Sequence, residues 1–153
     1  MTPATRSSDG ALRHAHSLVA GDSFEPLSFS VSAELNQQYL LAQEDFDRRY
    51  IVGVGGRPPQ VHPALLLSMS AHTKSPDFVL APGTGSIMAR QESRFLAPAF
   101  VGSTLSVSWT VVEVYEKRGR PYQVTESVVV DEAGETLLVR RSHLIYSLER
   151  KDG

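Results

Sequence analysis

The chain has 153 residues, 41% apolar and 21% charged, with a formal net charge of −2. That length fits one domain with a core large enough to fold unaided, and so even a balance of charge argues against a nucleic-acid partner. Cysteine is absent, which removes disulfides, thiolate nucleophiles and Cys-type zinc sites and fits a cytoplasmic protein.

Residues 1–22 are small and polar without a sustained period, and read as a flexible arm lacking a signal-peptide core. His14 and His16 lie in it, but two histidines without a third ligand do not make a metal site, and none is expected elsewhere. No apolar stretch nears the roughly 18 residues of a membrane span. Leu27 to Ser32 alternates apolar and polar, as a short strand does. Ser32 then precedes Ala33 and Glu34 as a helix N-cap, and Leu35, Tyr39 and Ala42 fall on one helical face. Residues 44–61 hold three glycines and two prolines, and predict a long loop of the kind that carries function. Within it Gly53-Val-Gly-Gly56 lacks the Lys-Ser/Thr of a phosphate cradle. His62 to His72 predicts a second helix, with Pro63 at its first position, His62 at or beside the N-cap, and apolar residues nearly all round. Lys74-Ser-Pro-Asp ends it.

From Gly83 the pattern turns to β. Residues 86–96, 103–119, 120–132 and 135–147 predict four long strands, separated by turns at 97–102, 118–120 and 131–134, with glycine supplying positive φ in the last two. Leu105, Val107, Trp109 and Val111 share one face. A buried helix followed by a long sheet predicts an α+β domain in which an antiparallel sheet wraps one central helix. An uncovered sheet edge invites pairing, so a symmetric dimer is expected.

From about Asp22 to Tyr146 the chain resembles the MaoC-like hydratase/dehydratase family of the hotdog fold. The resemblance is carried by Gly85 to Pro98, by Val101-Gly102, by Val114 to Gly119 and by the closing hairpin. It implies one hotdog domain over residues 23–149 with a tail at 150–153. It also implies reversible water addition to an enoyl thioester of coenzyme A or an acyl carrier protein, with no further cofactor. The family's D-x-N-P-x-H motif falls on Asp45-Phe-Asp-Arg-Arg-Tyr50. Asp45 matches the aspartate and Tyr50 stands in the histidine's place. A phenol, with an ordinary pKa near 10, is a weak base at neutral pH but a fair hydrogen-bond donor.

His62 could restore an Asp–His pair from a different position. Where the family often has His-Gly at the helix start, this chain has His62-Pro63, so Ala64 and Leu65 are the expected N–H donors to a thioester oxygen. Asp45, His62 and Tyr50 are therefore expected to be catalytic, and Ala64, Leu65, Gln91 and Trp109 substrate-binding. The expected function is an acyl-thioester lyase with a modified acid–base site. The alternatives are a non-catalytic acyl-binding subunit paired with a catalytic partner, an isomerase or cyclase of specialised metabolism, and a thioester hydrolase. The expected assembly is a homodimer, or a heterodimer with another hotdog subunit.

Overall fold

A computed structural model describes residues 14–71 and 79–147. Its elements are β1 (Leu27–Ser30), α1 (Ala33–Gln43), α2 (Arg48–Ile51), α3 (Pro63–Ala71), β2 (Gly85–Phe95), β3 (Thr104–Lys117), β4 (Arg120–Val130) and β5 (Thr136–Ser147). The strands form one antiparallel sheet in the order β1-β3-β4-β5-β2. All four expected long strands are present. The β3–β4 hairpin turns on Arg118 and Gly119, both at positive φ (54° and 71°), as the mirror-image two-residue turn requires.

Strand alternation sends Leu105, Val107 and Trp109 to the face where α3 packs. They form one core with Leu65, Leu66, Val31, Val61, Val129 and Leu138. Enclosure of α3 is less complete than its composition suggested, because Ala64 and Ser68 are exposed along one strip. Trp109 is only 4% exposed. It belongs to the core beneath α3.

Three local expectations need correcting. The inner face of α1 is centred on Asn36 and Leu40, with Leu35 and Tyr39 beside them, whereas Ala42 is exposed. The long loop contains a short helix, α2, capped by Asp47. The expected arm is docked from His14 onward, where a 3₁₀ turn at Ala15–Ser17 buries Ala15 and Leu18. Ala15 donates to the Val79 carbonyl at 2.7 Å and accepts from Gln123 Nε2 at 2.8 Å. Two apolar residues in a polar stretch suffice when Ala15 finds backbone partners outside that stretch. The expectations for residues 1–13, for the end of α3 at Lys74 and for His72 and the tail lie outside the described residues.

Candidate active site

The site is built where the end of α1, the loop and the start of α3 meet. Helix α1 stops at Glu44, which takes the left-handed conformation (φ 54°). Its N–H bonds to Leu41 O at 3.2 Å, and the N–H of Asp45 reaches back to Leu40 O at 3.1 Å. This paired helix ending fixes where Asp45 begins. The Asp45 carboxylate then turns inward: Oδ1 accepts from the Asp47 N–H at 3.1 Å, and Oδ2 lies 3.2 Å from Nε2 of His62.

His62 caps α3 with its own ring. Nδ1 accepts the Ala64 N–H at 3.2 Å, so Nδ1 carries the lone pair, and in the neutral imidazole the proton sits on Nε2. Nε2–H is therefore the donor to Asp45. The ring lies between Tyr39 and Tyr50, at centroid distances of 5.2 and 5.1 Å. Its side chain is 17% exposed, against 37% for Asp45. The imidazole is thus buried and oriented, while the carboxylate keeps an opening to an incoming molecule.

Asn36, which the sequence reading passed over, ties this together. It is 1% exposed. Its Oδ1 accepts the His62 N–H at 3.0 Å, and its Nδ2 donates to the carbonyls of Gln60 (3.0 Å) and Tyr50 (3.1 Å). One amide side chain joins α1, α2 and the approach to α3. A polar residue four positions before buried Leu40 was the available signal.

Of the two expected oxyanion donors, Ala64 is already engaged by the His62 ring. The Leu65 N–H meets no acceptor among the described residues. Asp47 caps α2, accepting from the Arg49 N–H at 2.9 Å and from Arg49 Nε at 3.0 Å. The Arg49 backbone N–H, and after it the guanidinium, hold the Asp47 carboxyl below the usual range. Gln91 lies opposite Ser142, on the sheet face that looks toward α3, but it is exposed on the edge strand. Glu92 takes the other face.

A hollow of about 250 Å³ opens beside this cluster, lined chiefly by Arg49, Tyr50, Pro63, Leu66, Phe95 and Leu96. Tyr50 belongs both to its wall and to the His62 contact. His62 touches Tyr50 from outside that wall, and neither Asp45 nor His62 is among its lining residues. Among the described residues no group of three or more His, Asp or Glu could hold a metal, and no helix is long and apolar enough to cross a membrane.

No family model matches the sequence, and no curated protein does either. Solved structures do. The chain is similar to a monoamine oxidase regulatory protein from Archaeoglobus fulgidus, at 20% identity and a TM-score of 0.71, covering 90% of this chain and 99% of that one. It is similar to the (R)-hydratase of A. caviae involved in PHA biosynthesis, at 22% identity and a TM-score of 0.66, covering 84% and 96%. It is also similar to a MaoC-like dehydratase from Rhodospirillum rubrum, at 19% identity and a TM-score of 0.63, covering 87% and 94%. The chain has the hotdog fold. Its α+β architecture, a long antiparallel sheet against one helix, is the one these MaoC-like dehydratases and (R)-hydratases share with it. At such identities the match speaks for the fold, and the chemistry must be argued from the site.

Proposed function

We propose that this hotdog protein is a lyase that adds water to, or removes it from, a short acyl thioester of coenzyme A or an acyl carrier protein. The observation that supports it most is the Asp45–His62 contact of 3.2 Å at the mouth of α3, adjoining a hollow walled by Tyr50. The hydratase and dehydratase neighbours belong to the same kind of chemistry.

The hydrogen-bond directions divide the labour. His62 donates from Nε2 to Asp45 Oδ2 and so fixes the aim of that carboxylate. Asp45 is then the base, taking a proton from water as the water oxygen bonds to the β-carbon. The double-bond electron pair moves onto the thioester oxygen, which the Leu65 N–H stabilises at the positive end of the α3 dipole. The phenol of Tyr50 gives its proton to the α-carbon, and exchange with solvent resets both groups. Dehydration runs the same steps backward. The hollow is below the roughly 300–1,000 Å³ of drug-sized pockets, which suits a short acyl group.

Assembly is part of this reading. Edge strand β2 is exposed along nearly its whole length, and Ile87, Met88, Phe95 and Leu96 are exposed apolar residues on or just after it. A second copy, or another hotdog subunit, pairing there would cover them and wall the hollow at Phe95 and Leu96.

The test is hydration of crotonyl-coenzyme A. Asp45→Asn and His62→Ala should each slow turnover by about 10² to 10⁴-fold, the usual worth of one general acid or base. Variants as fast as the parent would refute the assignment. A parent that binds the thioester without turning it over would favour the non-catalytic subunit, a reading supported by Tyr50 standing in the family's histidine position.

A further inference from the structure

Under the C-terminal half of α3 the sheet carries a buried cation with no counter-charge among the described residues. Arg140 is 3% exposed. Its terminal Nη2 donates to the Leu67 carbonyl and to Ser70 Oγ (2.7 Å). None of the described carboxylates pairs with it, and its Nε–H is buried without an acceptor.

The register gathers further unmatched groups around that Nε. Ser127 on β4 and Ser93 on β2 are the direct cross-strand partners of Arg140, one on each side. Thr125 lies two residues from Ser127 on the same face. Directly opposed Cβ atoms are about 5 Å apart, and diagonal neighbours remain within reach. The hydroxyl oxygens of Ser127, Ser93 and Thr125 are all buried and unpartnered. So one guanidinium N–H and three hydroxyls share neighbouring positions on this face of the sheet, without a hydrogen-bond partner among the described residues. Native interiors rarely leave such groups unmet, and a buried charge without a partner is the costliest kind.

We infer that Arg140, Ser127, Ser93 and Thr125 form an internal site for a small monovalent anion of halide size. A water could accept one or two of these hydrogens but would leave the positive charge uncompensated. An anion accepts from all of them and cancels it. Burial also pulls the Arg140 guanidinium below its ordinary range, the direction expected of a cation with no counter-charge. The bound ion would tie β2, β4 and β5 to the carbonyl end of α3, remote from the proposed proton-transfer groups at its other end.

Crystals grown in sodium bromide test this directly. An anomalous peak in contact with Arg140 Nε and Ser127 Oγ is expected, and a water there instead would overturn the inference. In solution, the thermal midpoint of the parent should be compared in sodium chloride and sodium gluconate at equal ionic strength. It should rise by about 3–5 °C for each tenfold increase of chloride beyond its Kd. Arg140→Met should lose that dependence. Should that variant fail to fold, Ser127→Ala should weaken the apparent chloride affinity by about tenfold or more. Equal midpoints in the two salts, even with a bromide peak, would mark the ion as adventitious and refute the site.

Discussion

Replacing Asn36 by alanine measures how far the candidate site depends on a single amide. The substitution deletes three bonds of 3.0 to 3.1 Å and leaves the carbonyls of Tyr50 and Gln60 and the N–H of His62 unmatched. An unmet buried group costs about 1–3 kcal/mol. These bonds are part-buried, so water recovers some of the loss, and a total of about 3 kcal/mol is expected. For a chain of this size that lowers the thermal midpoint by about 6–12 °C, read by circular dichroism. Asn36→Asp gives the sharper signature. It keeps the acceptor for His62 but turns a carboxylate toward two carbonyls, so the new carboxyl has its folded pKa raised. The variant is then most stable at low pH, where the protonated group can still donate, and loses stability as the pH rises through that raised value. The parent shows no such slope from this position. An alanine variant within about 0.5 kcal/mol of the parent, or an aspartate variant with no pH slope of its own, would refute the bracing role.

Other consequences follow from backbone and burial. Gly53 has φ 78°, and an added Cβ would sit 2.1 Å from the Arg57 carbonyl oxygen. Gly53→Ala should therefore destabilise by about 2 kcal/mol or more in urea titration. Glu44 holds a left-handed position suited to glycine, so Glu44→Gly should raise stability by about 0.5–1 kcal/mol, checked by the same titration. Burial pushes the Tyr146 phenol up to about 12, and its hydroxyl donates to Gln123 at 3.1 Å. A pKa raised above the unfolded value of 10 means stability that is intact below pH 10 and lost between pH 10 and 12, about 3 kcal/mol in all. Tyr146→Phe should flatten the alkaline unfolding curve over that window.

The sheet was legible because period-two alternation and turn chemistry are local. Leu105, Val107, Trp109 and Val111 point inward as spaced, and Arg118-Gly119 makes the turn its glycine promised. Less local features were hidden. Asn36 anchors the inner face of α1 although it is polar, so an apolar count drew the face through Ala42 instead. The docking of Ala15 depends on Val79 and Gln123, which no short window can see. At the site, the family resemblance pointed to Asp45, and helix-start logic to His62. That the two meet across 17 positions depends on how the chain leaves α1, and on a bridge from Asn36 that spacing does not encode.

The two borders of the sheet differ. At one, β1 is only four residues long, and the chain just before it joins β3 through Gly21, Asp22 and Phe24, whose main-chain groups bond to Val111 and Trp109. The other border, β2, is long and bare. Antiparallel joining of two such borders would use up both, leaving only the short β1 edges open. In such a pairing the lopsided finish would favour a closed pair over the repeating contact from which a fibre grows.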